Sequence, residues 1–436
     1  QGSATLPLNA GYGVKEAFLE ARLPLVQDKP FAKEISVDAG YRYSKYDVGY
    51  TTNTFKFGVD WSPDSDVKLR GSYNRAVRAP NVLELFAPQN VGLGSFEDPC
   101  AGPTPTASLA GCVASGLDPA KYGHLLQCPA SQCDQQSGCN PNLSPEISDT
   151  KSFGVVFTPT FLDGFTATVD YFDIKVNQAI GTVSPTVSLG GCTSLANTAL
   201  CPLVHRDAQG FLFTTTGGYV IATNVNTGFV QTKGIDLEAN YNVDLGDWGM
   251  QDSGSLGINF VGTYTDKYTV EPYTGATATD LNGKVYTSYD CKGLYGQTCG
   301  TPTPEWRHKM RVTWSTPWDV SLSVAWRHIG ETAFDGNSSN PFLLIGGYCA
   351  GNITCSPLTS GGKFKAYNYF DLSGSWDVSE GVSLRAGVNN LFDKNPPLLA
   401  SGGRTAGPTG PLNGNTFPGV YDPLGRYMFV GGTVKF

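Results

Sequence analysis

The sequence predicts an all-β protein that forms the wall of a large antiparallel transmembrane β-barrel. Apolar and polar residues alternate singly along about thirteen segments, which is the period of a strand and not of a helix. The connections between those segments are alternately short and long, the asymmetry expected when turns lie on one side of a membrane and loops on the other. The composition agrees: 436 residues include 53 Gly, 21 Tyr and 23 Phe but only 3 Met, a balance that favours strands punctuated by turns.

Taken in order, Val14 to Val26 alternates imperfectly and admits a short helix, but its neighbours make a strand the better reading. Ile35, Val37, Ala39, Tyr41 and Tyr43 interleave with polar residues or Gly, as do Phe55, Phe57, Val59 and Trp61. From Asp66 to Asn74 one face carries Val67, Leu69, Gly71 and Tyr73 and the other Asp66, Lys68, Arg70, Ser72 and Asn74. Strand side chains alternate sides, so such a segment has one greasy and one wet face.

The pattern returns at Phe153–Phe157, Phe165–Tyr171, Ile235–Val243, Leu256–Phe260, Trp306–Trp314, Val320–Trp326, Phe370–Trp376, Val382–Val388 and Met428–Phe436. Asp236, Glu238, Asn240 and Asn242, or Arg307, Lys309, Arg311 and Thr313, make unbroken polar faces. Many segments run to roughly ten residues, the length that crosses a bilayer at a tilt, with Trp61, Trp314 and Trp376 near their ends. This favours a membrane barrel over a soluble sandwich or propeller.

The short links are Gln27 to Ala32, Ser62 to Ser65, Pro159 to Gly164, Asp244 to Gly254, Ser315 to Asp319 and Ser379 to Gly381. The long links are Ala79 to Ser148, Ala179 to Gln231, Glu271 to Pro304, Asp335 to Gly362 and Asp393 to Pro423, and only Asp47 to Thr51 is short on the long side. No domain linker interrupts this order. A net charge of −8 and a pI near 5.1 lack the basic stripe of a nucleic-acid binder, so no nucleic acid is expected as a partner. No run of 18 or more apolar residues encodes a transmembrane helix, and the opening residues lack a Met, a basic region and an apolar core, so the chain is expected to start downstream of its natural beginning.

Eleven cysteines in a Gly- and Asn-rich chain point to an oxidising compartment. Cys192 and Cys201, Cys291 and Cys299, and Cys349 and Cys355 are close pairs, each within one long link, and read as local disulfides. Spacing does not fix the partners of Cys100, Cys112, Cys128, Cys133 and Cys139. Zinc is the alternative, but no CxxC pair or nearby His supports it. His124, His205, His308 and His328 show no metal or catalytic spacing, and His308 shares the apolar face of Trp306 and Met310, where an amphipathic ring suits a membrane interface. Asp236 and Glu238 read as lining a hydrated interior. No enzyme signature is present, so neither catalysis nor a cofactor is expected. Loop aromatics such as Tyr122, Phe211, Tyr273, Tyr295 and Tyr348 are candidates for stacking on a ligand.

Three segments carry a family resemblance. Tyr73 to Phe86, with its Arg-Ala-Pro turn, resembles the mid-barrel signature of TonB-dependent outer-membrane receptors. Gly387 to Lys394 (GVNNLFDK) is similar to the Asn-Leu-Phe-Asp segment of their penultimate strand. Leu424 to Phe436, with Met428, Val430, Val434 and terminal Phe436 in one row, resembles their assembly signal. No plug-like segment precedes Val14, so no gating or energy-coupling residue can be assigned.

The resemblance implies the C-terminal part of a barrel of about 22 strands, in the bacterial outer membrane with its loops extracellular. It further implies import of a scarce nutrient, such as a metal chelate or siderophore or a glycan, energised by the TonB complex through a plug. The alternatives are a passive porin and a soluble β-rich glycan-binding protein. Counted back from Phe436, the strands at Val14 and Leu424 run in the same direction, so closing the barrel on them would make a parallel seam. About nine strands and the plug are therefore expected from an N-terminal stretch of the same protein or from a second polypeptide.

Overall fold

The computed structural model describes residues 7–195, 200–214, 217–275, 277–279, 284–296, 298–344, 362–398 and 416–435. Thirteen strands lie side by side in chain order: β1 (Val14–Lys29), β2 (Ala32–Tyr46), β3 (Thr51–Ser62), β4 (Val67–Arg78), β5 (Glu146–Phe157), β6 (Phe165–Asn177), β7 (Phe229–Asp244), β8 (Ser255–Val270), β9 (Trp306–Ser315), β10 (Val320–Ile329), β11 (Tyr367–Ser379), β12 (Val382–Asn389) and β13 (Tyr427–Val434). Every neighbouring pair is antiparallel. The ambiguous first segment is a strand, three residues longer than its alternation shows. Among the described residues β1 and β13 do not pair, and the sheet is open.

The register aligns the apolar positions into continuous rows on one face. One row runs Tyr241, Ile258, Val312, Val324, Leu372, Val388 and Met428; another runs Val243, Leu256, Trp314, Leu322, Gly374, Ala386 and Val430. A slip of one residue would turn a whole strand to the wrong face, so this pattern fixes the register. Leu19 is 76% and Val430 84% exposed. Large apolar side chains open to the surroundings over a whole face mark a surface built for a partner or a membrane.

Aromatic rings on this face collect at the two strand ends. Tyr41, Phe55, Tyr73, Tyr171, Tyr264 and Trp306 lie toward the long links, while Trp61, Phe157, Phe165, Tyr241, Trp314 and Trp376 lie toward the turns. Such girdles suit the two headgroup levels of a bilayer, where a ring with a polar tip is half apolar and half wet. Phe31, Trp248 and Trp318, all exposed, add rings in the turns themselves.

The turn side is held close to the backbone of the next hairpin. Gly164 (φ +73) and Gly254 (φ +79) sit where a Cβ would stand 1.9 Å from the Asn242 carbonyl oxygen and 2.0 Å from that of Ser315. Only Gly meets both the positive φ and the close approach. The opposite side carries the long links, whose described residues fold into compact structure of their own. If that side faces outward, then with Cys139→Ser as background Ser338→Cys should react with an impermeant thiol reagent on intact cells, and Asp64→Cys only after the membrane is permeabilised. The reverse labelling would invert the orientation.

Candidate functional site

The face opposite the apolar rows is polar and crossed by ion pairs. Arg70 on β4 donates from Nε and Nη2 to Asp170 on β6, at 2.9 and 2.6 Å, and reaches across Gly154 on β5 to do so. A Cβ at Gly154 would stand 2.0 Å from Asp170 Oδ1, so the glycine leaves room for the bridge. Lys68 and Arg22 both approach Asp60, at 3.2 and 3.3 Å. Thr263 donates to Asp236, Asn240 to Glu238, and Asn259 to Asn240. Asp236 and Glu238 thus belong to a hydrogen-bonded wet surface.

Along the same face the sign of charge changes. The acids of β7 give way to Arg307, Lys309 and Arg311 on β9, with Arg327 directly across from Lys309 on β10. Arg327 makes a two-point contact with Asp371 at 2.9 Å, and Arg311 donates to Ser323 Oγ at 2.8 Å. Arg307 and Lys309 are exposed. A stripe of guanidinium and ammonium groups facing a water-filled space can hold carboxylate, catecholate or phosphate oxygens.

The turn after β4 is locked by one arginine. Arg78 forms an ion pair with Glu146 at the start of β5 and another with Glu84 at 3.0 Å. Asn81 caps the short helix Val82–Phe86: its Oδ1 accepts from Glu84 N–H, and Glu84 accepts from Asn81 N–H. This reciprocal box satisfies two backbone donors of the first turn. Tyr12 Oη donates to the Pro80 carbonyl at 2.9 Å. The Arg-Ala-Pro segment therefore anchors the exit of the chain from the wall into its longest link.

Links 79–145 and 178–228 fold together into one lobe. Asn90–Ser95 pairs with Gln132–Ser137, which pairs in turn with Tyr219–Ile221 from the second link. The helices Leu109–Ala114 and Pro185–Leu195 cross so closely that a Cβ on Gly111 would meet the Thr193 carbonyl oxygen at 1.6 Å. Arg206, 1% exposed, reaches Asp98, 4% exposed, through two hydrogen bonds of 2.5 and 2.9 Å. It also donates to Ser115 Oγ and the Gly210 carbonyl, each at 3.0 Å. A buried guanidinium is tolerable only when most of its donors are engaged, and four hydrogen bonds hold this one.

A second lobe draws on the three later long links. Leu294–Tyr295 pairs with Thr332–Phe334, which pairs with Lys363–Phe364. Tyr295, Phe364, Tyr369, Phe417 and Tyr421 form its core. Asn390, buried and with φ +50, brackets Lys394 from both sides while its own N–H donates to Asp371. The Asn-Leu-Phe-Asp segment thus ties the last long link to the Arg327–Asp371 pair. Burial pushes the Tyr295 phenol up to about 12, which keeps it neutral. Between the lobes, above β7 and β8, lies a cavity of about 290 Å³ lined by Ile180, Val183, Val187, Val230, Val270 and Tyr289 among others.

The candidate residues separate accordingly. Cys192 bonds to Cys201 and Cys291 to Cys299; in the first link Cys100 bonds to Cys112 and Cys128 to Cys133, while Cys139 is a free thiol. Cys349, Cys355, Tyr348 and Phe436 lie outside the described residues. Met428, Val430 and Val434 are exposed at 74, 84 and 58%. Tyr295 is not a surface aromatic: it is fully buried and stacks on Phe364 with centroids 4.2 Å apart. Tyr122, Phe211 and Tyr273 are partly buried against lobe cores. His308 and His328, twenty positions apart, stack at 4.9 Å because β9 and β10 place them directly opposite. Cross-strand register brings them together, which linear spacing does not reveal.

The family model described as TonB dependent receptor-like, beta-barrel, matches residues 7–391. No curated protein sequence matches the chain at a significant level. Among solved structures, a variant of the ferric enterobactin receptor PfeA of Pseudomonas aeruginosa is 16% identical with a TM-score of 0.58, covering 98% of this chain and 45% of its own. The siderophore receptor PirA of Acinetobacter baumannii is 15% identical with a TM-score of 0.56, covering 98% and 46%. At this identity the likeness is one of fold. The chain spans less than half the length of either receptor.

Proposed function

Because the chain belongs to the TonB-dependent receptor-like β-barrel family, we propose that it forms the later part of the wall of an energised importer of a scarce nutrient across the bacterial outer membrane. One observation carries this reading. A single thirteen-strand sheet has an apolar, girdled face, an opposite charged face, turns at one end and folded lobes at the other. A wall this wide encloses a lumen too large for side chains to fill, and a wide lumen must be plugged to remain a barrier. The plug and the missing strands are assigned to other residues of the same protein or to a second polypeptide, and through that part to the TonB complex.

The Arg307, Lys309, Arg311 and Arg327 stripe favours an anionic metal chelate as cargo over a neutral glycan. The lobes are the first surface such a cargo meets, and their disulfides restrict the freedom of long exposed links. The role is transport, with no catalytic step assigned.

Uptake by cells carrying the intact native protein provides the test. Accumulation of a ferric siderophore should stop when the proton-motive force is collapsed. Lys309→Glu together with Arg311→Glu should slow it at least about tenfold, the effect of roughly 1.4 kcal/mol. Flux that continues unchanged without energy would make the protein a passive porin. Recovery of the protein as a soluble species without detergent would support a glycan-binding module instead.

A further inference from the structure

A patch of positive charge lies on the outward, apolar face of a chain whose net charge is −8. Two adjacent rows of the register define it. In one, Tyr73, Lys151, Asp173, Lys233 and Lys267 stand side by side across β4 to β8. In the next, nearer the long links, stand Arg75, Asp149, Lys175 and Gln231. The row immediately toward the turns is Gly71, Phe153, Tyr171, Ile235 and Tyr264, so the cations begin where the apolar band ends.

Carboxylates answer only part of this charge. Arg75 pairs with Asp149 at 2.8 Å, and Lys233 with Asp173 at 2.9 Å. Asp266, the extra residue of the bulge in β8, adds a third acid close to Lys233. Lys151 shares Asp149 and Asp173, which are already engaged. Lys175 lies over the Phe229 ring at 4.1 Å. Five cations therefore face these three carboxylates, while a fourth, Asp290 at the far end of the second row, is turned to the backbone N–H groups of Tyr268 and Lys292. Lys233 and Lys267 are directly opposed across two strands, an arrangement that destabilises a sheet unless a negative group lies nearby. Lys151 and Lys267 are exposed.

We infer that this patch, Lys151, Lys175, Lys233 and Lys267 with Arg75, binds a phosphate-bearing headgroup of an outer-leaflet lipid. The aromatic row beneath it sets the depth: rings at the interface leave the next two rows level with headgroups. Phosphate oxygens at that level accept charge-assisted hydrogen bonds from ammonium groups, each lysine contributing roughly a factor of five in affinity. The bound lipid would seal the wall where β4 to β8 emerge under the first lobe. This rests on the outward orientation of the long links, which the thiol labelling at Ser338 and Asp64 tests independently.

The experiment uses the intact native protein in detergent, with phosphorylated lipid A and its enzymatically dephosphorylated form as probes, read by native mass spectrometry. The phosphorylated form should stay bound and the dephosphorylated form should not. A Lys151→Gln, Lys175→Gln, Lys267→Gln variant should bind the phosphorylated form roughly a hundredfold more weakly. Lys29→Gln, Lys33→Gln and Lys435→Gln, on the turn side, should leave binding unchanged. Salt supplies a measurement on the unmutated protein: retention should fall steeply from about 0.1 M to about 1 M, as the Debye length shrinks. Equal binding of both lipid forms, retention indifferent to salt, or binding unchanged in the triple variant would each overturn the proposal. Displacement of the lipid by millimolar inorganic phosphate would overturn it too, by showing a site for free phosphate and not for a lipid headgroup.

Discussion

Arg206→Met is expected to unfold the first lobe while leaving the barrel wall folded. The substitution keeps much of the side-chain volume but strands the Asp98 carboxylate, 4% exposed, without its partner. Breaking a buried pair from one side costs about 3–5 kcal/mol, because the remaining charge is neither solvated nor neutralised. Ser115 Oγ and the Gly210 carbonyl also lose a donor. The cost falls on contacts between two links, so the disulfides within each link cannot make it good. Limited proteolysis should show new cleavage between residues 96 and 143 and between 183 and 222, with the wall still heat-resistant on electrophoresis. The double change Arg206→Met, Asp98→Leu should recover much of the protection, since replacing both charges with apolar groups is often close to neutral. Protection equal to the unmutated protein in the single variant would contradict the assigned role of the pair.

Val430→Arg is the second large effect. Val430 projects from the middle of β13, with Met428 and Val434 on the same face, and is joined through Ala386 and Gly374 to Leu322 and Trp314. An arginine at mid-membrane depth on the lipid face of a barrel costs roughly 2–4 kcal/mol. We propose that this row, completed by Phe436, is also what the assembly machinery reads. Thr433→Arg, across from Ser383 on the opposite face, should be tolerated because its side chain reaches water. The amount of heat-resistant barrel in outer membranes compares the two. Equal losses would remove the assignment of faces.

The wall was legible because its physics is local. Alternation with period 2 shows in each segment alone, and the order of short and long links is a linear property of the chain. Strand ends were less visible: β1 continues through Gln27, Asp28 and Lys29, all polar, of which Gln27 and Lys29 still pair with Glu34 and Ala32 of β2 beyond the apolar stretch. The lobes were not legible at all. Asp98 and Arg206 are 108 positions apart, and nothing near either residue indicates that its partner is in another link. The same distance effect hid the burial of Tyr295, whose neighbours Phe364 and Phe417 come from two later links. Close cysteines could be paired by spacing where a link held two, but five in one link left several arrangements open until the fold put Cys100 beside Cys112 and Cys128 beside Cys133.

The polar wall of the lumen was readable as a set of residues and not as an electrostatic pattern. Arg307, Lys309 and Arg311 are evident in the sequence, but their juxtaposition with Arg327, and their separation from Asp236 and Glu238 by the neutral strand face of Asn259, Val261 and Thr263, follow from register. Register likewise opposed Lys233 to Lys267.

We propose that these thirteen strands are one arc of a wider wall, with both β1 and β13 paired to strands outside residues 14–434. Edges left open in a bilayer would expose backbone N–H and C=O groups that lipid cannot satisfy, at several kcal/mol each. The direct measurement is photo-crosslinking in intact outer membranes, with a benzophenone amino acid placed at Phe18 on β1 or at Phe429 on β13, and the adducts mapped by mass spectrometry. Both positions should capture peptides from other strands of the same protein or of a second polypeptide. Adducts joining β1 directly to β13, with no other wall peptide captured, would contradict it.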